Sequence, residues 1–446
     1  MNKITIDNFR CFPHLEMEFR RKVNLLIGDN AAGKTSLLKA CKYALSAWFS
    51  GFSDENTRWQ TFKESDFRNV EFLGFKAPEE PIRIHFNLRD DDKMVGYLSE
   101  DFALNRMPEE QYIGRNSKKN SRFLQSGVAE LRKYGASVKS HYITVNDKEI
   151  IQHIDLPLYV SFSTEDIHAK RKIRESSYMN YTQKPSFGYY ECLNANGLFK
   201  YWCKRLLTLY EAYEESKEVQ VVCDAIIQAL GPTGCNIIRK VQLRPMKKDV
   251  YYELIDGRKV TSSQLSDGYR RLVNIVTDIA FRCYLLNGAL YGVDAAHKTR
   301  GTVLIDEIDM HLHPTLQSKV AKALSDTFEG VQFIITSHAP MVMSSVKTDE
   351  ENAVYKLAYN QEAGYTLHMV NTYGQDVSTI SRRDLGIAPR VADIQEKIDA
   401  LNQLIDDERV DEARAKLEEL KTEFADTLPE LISAEANLRF LSDDLD

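Results

Sequence analysis

The segment Gly28-Asp29-Asn30-Ala31-Ala32-Gly33-Lys34-Thr35 constrains this chain more than any other, because it matches the spacing GxxxxGK[ST]. The pattern needs a particular setting: a buried strand must run into it and a helix must leave it. Val23-Asn24-Leu25-Leu26-Ile27 reads as the strand, and Ser36 to Phe49 carries Leu37, Leu38, Ala40, Cys41, Ala44 and Leu45 at helical spacing. In that setting the glycines let backbone N–H groups converge on a phosphate at a helix N-terminus. The lysine reaches the β and γ phosphates, and the threonine hydroxyl ligates Mg²⁺. Gly28, Asp29, Asn30, Ala31, Ala32, Gly33, Lys34, Thr35 and Ser36 are therefore the expected ATP-binding residues, with ATP and Mg²⁺ as the expected ligands. A chance glycine turn beside a lysine would supply the four fixed positions but not both flanks.

A second constellation lies far downstream. Thr302-Val303-Leu304-Ile305 reads as a buried strand that ends in Asp306 and Glu307, the arrangement in which the first carboxylate holds Mg²⁺ and the second polarises water. Alone, such a pair is as readily the polar end of a strand; with a phosphate loop upstream it becomes a candidate site. Ser263 to Arg270 precedes a helix, and Thr336-Ser337-His338-Ala339-Pro340 closes a further strand. Ser266 and the Gly268 amide at a helix N-terminus form a second anion site. Taken singly, a Ser-Asp-Gly turn is a common helix cap and a histidine after a strand is commonly structural.

Together these segments resemble the ATP-binding-cassette (ABC) ATPases. Ser266-Asp267-Gly268 is similar to part of their LSGGQ signature, with Asp267 in place of the usual glycine, and His338 is similar to their switch histidine. The resemblance implies an α/β fold, a P-loop NTPase sheet with helices. It also implies that the signature acts in trans on nucleotide held by a partner subunit, and that His338 contacts the γ-phosphate. Ile6-Asp7-Asn8-Phe9-Arg10-Cys11-Phe12 and Asp306 to Pro314 further resemble the RecF, Rad50 and overlapping-lysogenisation-defect branch, over roughly Met1 to Met343. From that branch come Arg10 as a weaker nucleotide contact and a dimer-contacting loop that includes His311 and His313. A metal site at those two histidines is the less favoured reading.

Strand-like alternation in Ile4 to Phe9, Leu15 to Phe19, Ile82 to Leu88 and Leu156 to Ser163 surrounds a mixed stretch, and Leu198 to Leu230 is helical. Two β-like runs follow, Asn236 to Leu243 and Val250 to Ile255, then a helix over Ser266 to Leu286, another over Pro314 to Phe328, and a strand over Gln332 to Thr336. The expected organisation is a head over 1–343 with a compact inserted lobe at about 51–260, the end of the head and a connector over 344–390, and a helical tail over 391–446. That lobe lacks the heptads of a long coiled-coil arm.

Charge sharpens the division. The 446 residues carry a net −7, which by itself speaks against a nucleic-acid partner. Yet Val391 to Asp446 holds 17 acidic and 6 basic residues, a local −11, and leaves the rest of the chain at +4. Basic groups at Arg115, Lys118, Lys119 and Arg122, and at Lys170, Arg171, Lys172 and Arg174, would suit DNA or RNA phosphates, or equally a solvated loop. Seven cysteines with no CxxC pair, no apolar signal segment at Met1 and no apolar run near ~18 residues point to a cytoplasmic protein without a membrane span.

The roughly 105 residues after Pro340 are too few for a Toprim nuclease domain plus a helical tail, so no nuclease domain is expected in this chain. With its compact head it resembles the PtuA family of ATPase subunits from Septu antiphage systems, which act with an HNH nuclease called PtuB; the AriA ATPases of PARIS systems are a competing resemblance. It implies a homo-oligomer assembled through ATPase heads and a separate nuclease partner, with the tail as docking platform or as packing for a sister subunit. The rival readings are a scaffold that binds ATP with little hydrolysis, and a RecF-like DNA-repair ATPase.

Overall fold

The computed structural model describes residues 1–52, 57–72, 75–78, 80–88, 102–106, 125–126, 128–146, 149–164, 185–195, 198–213, 215–386, 391–424 and 428–443. Both basic groups named above, 115–122 and 170–174, lie outside these residues. The chain divides into two compact units, Met1–Val377 and Ser378–Asp446.

The first unit opens with β1 (Lys3–Phe9), β2 (Phe12–Glu18) and β3 (Val23–Ile27), followed by α1 (Lys34–Ser46). β4 (Ile82–Asn87), β5 (Phe102–Arg106), β6 (Gln125–Ser126) and β7 (Leu158–Phe162) come next. Then α2 (Phe199–Ala212) and α3 (Lys217–Leu230) lead into β8 (Ile238–Arg244), β9 (Asp249–Leu254) and β10 (Lys259–Thr261). The long α4 (Asp267–Tyr291), β11 (Gly301–Ile305), α5 (Pro314–Thr327), β12 (Val331–Thr336), β13 (Ala353–Asn360) and β14 (Gly364–Val370) follow, with shorter elements between them.

Six strands form the central sheet in the order β7-β11-β12-β3-β13-β14. Every pairing from β7 to β13 is parallel, and β14 adds antiparallel at the edge. All residues of β3, β7 and β12 are buried, as expected of parallel strands covered on both faces. A second sheet, β2-β1-β4-β5-β6, is antiparallel. It meets the first where Phe12 packs edge-on against Tyr365, ring centroids 5.2 Å apart.

The interval 51–260 is therefore not one inserted lobe. β4 and β5 extend the sheet begun by β1, and β7 returns to the central sheet beside β11, because each is apolar on the faces those sheets bury. What remains apart from the two sheets includes α2, α3 and the antiparallel sheet β8-β9-β10. Trp202 of α2 stacks on Phe281 of α4 at 4.8 Å, and its indole Nε1 donates to Asp278 at 2.6 Å. Asp278 and Arg282, both wholly buried, pair at 2.6 Å, while the guanidinium also donates to the carbonyls of Gly188 and Tyr190.

The second unit contains α6 (Ala392–Asp406), α7 (Val410–Phe424) and α8 (Pro429–Asp443). Leu401, Ala413, Leu417, Leu420, Leu431, Ala434 and Leu438 form its core, and the acidic residues lie outside it. Ion pairs such as Lys421–Glu435 at 2.7 Å tie the helices at the surface. Among the described residues no helix is long and apolar enough to cross a membrane.

Candidate functional site

Parallel strands all deliver their carboxyl ends to one edge of the sheet, and in sheets of this kind that edge is where ligands bind. β3 leads there into Gly28, β11 into Asp306, β12 into Ser337 and β7 into Ser163. Segments separated by hundreds of residues thus converge.

The loop after β3 departs from ordinary backbone. Gly28, Ala31 and Gly33 have φ of 141°, 66° and 98°. A Cβ on Gly28 would lie 2.1 Å from the Leu357 carbonyl oxygen, and one on Gly33 would lie 2.5 Å from the Phe12 ring. Lys34 is buried, and its ammonium folds back to donate to the carbonyls of Gly28 at 2.7 Å and Asp29 at 2.8 Å. Burial lowers its pKa, opposed by the nearby charges of Asp29, Glu307, Asp306 and Asp309. The lysine is therefore held in its loop by weak, exchangeable carbonyl acceptors, which an anion with more negative charge would displace.

Asp306 is the hub of the site, 2% exposed. Thr336 Oγ1 donates to its Oδ1 at 2.7 Å, Thr164 Oγ1 to its Oδ2 at 3.2 Å, and Thr35 Oγ1 approaches both oxygens at 3.4 and 3.5 Å. Carboxylate and hydroxyl oxygens in this arrangement are the hard donor set that suits Mg²⁺. Glu307 has φ 49°, and its backbone N–H donates to Thr336 Oγ1 at 2.7 Å. One threonine thus fixes both acids. From α4, Arg271 Nη2 donates to the Asp306 carbonyl at 2.5 Å, while its Nη1 is buried without a partner; burial lowers its pKa against the pull of Asp309, Glu307 and Asp306.

His338 follows β12, half-buried, and its backbone N–H donates to Asp309 Oδ1 at 3.4 Å. Arg10, on the β1–β2 turn with φ 53°, brings Nη1 within 3.4 Å of Ser36 Oγ and Nε within 3.4 Å of Asp66. Ser266 caps α4, accepting from the Tyr269 N–H at 3.4 Å. Asp267 is exposed and pairs with Arg270 at 3.4 Å. Gly268 lies so close to the loop before α5 that a Cβ would stand 2.3 Å from the His311 carbonyl oxygen. Among the described residues no hydrogen bond or ion pair joins Ser266, Asp267 or Gly268 to Gly28–Ser36. His311 has φ 63°, and His313 caps α5 by accepting from the Thr315 N–H at 3.4 Å. No cluster of three or more His, Cys, Asp or Glu among the described residues could hold a metal ion.

The structure thus gathers Lys34, Thr35, Asp306, Glu307 and His338 at one edge, while Ser266, Asp267 and Gly268 open α4 against the His311 loop. Reading the sequence misses Thr164, Thr336, Arg271 and Asp66 as contributors. Thr336 and Arg271 sit within or next to recognised segments; nothing in the sequence distinguishes Thr164 or Asp66.

A family model described as AAA domain matches residues 3–250, and one described as AAA ATPase domain matches 171–343. The chain is similar to the Retron Vc95 probable ATPase of Vibrio cholerae serotype O1 biovar El Tor, 36% identical over 145 residues, covering 32% of this chain and 28% of that protein. It is 24% identical over 406 residues to the Retron Ec83 probable ATPase of Escherichia coli, covering 78% and 70%. It is 30% identical over 157 residues to the Septu protein PtuA of Bacillus mycoides (strain KBAB4), covering 34% and 21%. The matched stretches thus span well under a third of the Vibrio and Bacillus proteins. A crystal structure of the SmcHead bound to the C-winged helix domain of ScpA aligns with TM-score 0.45 at 12% identity, over 83% of this chain and 97% of that one.

Proposed function

The chain belongs to the AAA domain family, as an ATPase of the ABC type found in RecF and Rad50, and from that premise we propose that it binds and hydrolyses ATP with Mg²⁺ as the regulatory subunit of an antiphage complex. The convergence of Lys34, Thr35, Asp306 and Glu307 at the carboxyl edge of one parallel sheet carries the reading. Thr35 and Asp306 would hold Mg²⁺, which when bound neutralises phosphate charge. Lys34 moves from its own loop carbonyls to the β and γ phosphates, Glu307 orients the attacking water, and His338 meets the γ-phosphate.

Ser266 and Gly268 would complete a partner's site in a head-to-head dimer, since they present a helix N-terminus apart from their own loop. Relatives named for Septu and retrons support a defence role; a separate HNH-type nuclease, held in check through nucleotide state, is the partner that the Septu resemblance implies. Ile432 and Phe440, 60% and 74% exposed on α8, give the tail an apolar surface for such a partner.

The decisive measurement is steady-state ATP turnover together with nucleotide binding. Lys34→Ala should abolish measurable binding under matched Mg²⁺. Glu307→Gln should retain binding and lower turnover on the order of 10²-fold. Unchanged turnover in the second variant removes Glu307 from the water-positioning role. Asp267, charged and exposed where the signature normally has glycine, favours a second reading, a scaffold that holds ATP without turning it over. ATP bound by the parent with no turnover above a protein-free control would decide for the scaffold, whereas the Glu307→Gln comparison applies to a parent that turns over measurably.

A further inference from the structure

We propose that Asp66 is a positioning residue that holds Arg10 against the phosphate loop and thereby strengthens the grip on nucleotide phosphates; this rests on the nucleotide-binding reading above. Asp66 belongs to none of the recognised motifs, yet its carboxylate is wholly buried and fully engaged. Oδ1 receives Lys39 Nζ at 2.8 Å and forms an ion pair with the Arg10 guanidinium, whose Nε stands 3.4 Å away; Oδ2 receives the Tyr43 hydroxyl at 2.5 Å and the Lys63 N–H at 2.9 Å. A buried carboxylate persists only when so compensated.

The same residue also holds the backbone of its partner. The Arg10 N–H donates to the Asp66 carbonyl at 2.8 Å, the Arg68 N–H donates to the Asn8 carbonyl at 3.3 Å, and Phe9 forms an isolated bridge with Phe67. Asn8 and Arg10 both stand at φ 53°, a conformation that non-glycine residues keep only when their surroundings enforce it. With its main chain held and its guanidinium drawn to the carboxylate, Arg10 places Nη1 3.4 Å from Ser36 Oγ, at the end of the phosphate loop. The remaining N–H donors are left for an anion. The charges agree: one carboxylate sits between Arg10 and Lys39, so the cluster keeps one positive charge in excess beside the site for a polyphosphate.

Equilibrium titration of a fluorescent ATP analogue with Mg²⁺ into the full chain tests this. Arg10→Ala and Asp66→Asn should each weaken binding about 5- to 10-fold, the net size of one ordinary hydrogen bond. The double variant should be no weaker than Arg10→Ala alone, since both changes remove one interaction. Arg10→Lys, which keeps the charge but loses the Nε–H, should bind nearly as poorly as Arg10→Ala. In turnover, KM for ATP should rise more than kcat falls. Additive losses in the double variant, or wild-type binding by Arg10→Lys, would overturn the proposal.

Should Asp66→Asn fail to fold, Tyr43→Phe loosens the carboxylate without removing it. It must weaken binding in the parent and leave Arg10→Ala unchanged; equal losses in both overturn the proposal. Lys34→Ala separates the two levels. Loss of binding there with normal binding by Arg10→Ala sinks only the role of Asp66. Unchanged binding by Lys34→Ala sinks the nucleotide reading and this inference with it.

Discussion

At the residue scale, the site depends on small hydroxyl groups that carry no charge. Thr336 donates to Asp306 and accepts from the Glu307 N–H, so it sets the angle between the two acids and supports the left-handed backbone at Glu307. Thr336→Val keeps the shape and removes both bonds. Turnover should fall on the order of 10-fold, as for other residues that orient a metal-binding group, with nucleotide affinity much less affected. Asp66 yields a pH prediction. Burial pushes its pKa up, but hydrogen bonds from Lys39, Tyr43 and the Lys63 amide outweigh that and hold it below the usual carboxylate range. A depressed carboxylate contributes stability that is present above its unfolded value, near ~4, and is lost as pH falls through its lower folded value. Acid titration of stability should therefore show a steeper loss below about pH 4 for the parent than for Asp66→Asn. Equal slopes would mean that Asp66 is not ionised in the fold.

At the element scale, α4 links the signature to the interior. Its first turn carries Ser266, Asp267 and Gly268, its next residues send Arg271 to the Asp306 carbonyl, and its middle buries Asp278 with Arg282. Asp278→Ala would leave the Arg282 guanidinium buried with only carbonyl partners, and thermal or denaturant unfolding should register a loss of about 3–5 kcal/mol. A loss under about 1 kcal/mol would show that Gly188 and Tyr190 suffice. The helix itself was legible over Ser266 to Leu286 from its apolar spacing and serine cap. β13 and β14 were not, because the interval 344–390 shows no motif and neither strand buries its residues in strict alternation, β13 being buried at its start and exposed at its end and β14 half-buried along most of its length.

At the scale of the whole molecule, the −11 of the tail belongs to a unit with its own apolar core. Deleting Ala392–Asp446 should leave ATP affinity of the first unit within about 2-fold, since every proposed nucleotide contact lies before Val377. It should abolish co-purification of a nuclease partner; retention would clear the tail of that role. Sequence alone determined the strand–loop–helix around Lys34, the strand ending in Asp306 and the helical character of the tail. Each is a local matter, set by burial period, turn chemistry and the residues next to them. Only the tertiary structure decided that β7 and β12 flank β11, which brings Thr164 and Thr336 to one carboxylate, and that residues 63–68 close over the Arg10 turn. Periodicity reports which face of a strand is buried but not which strand lies beside it. Pairing order is settled by the packing of the entire sheet, and with it the second layer of the site.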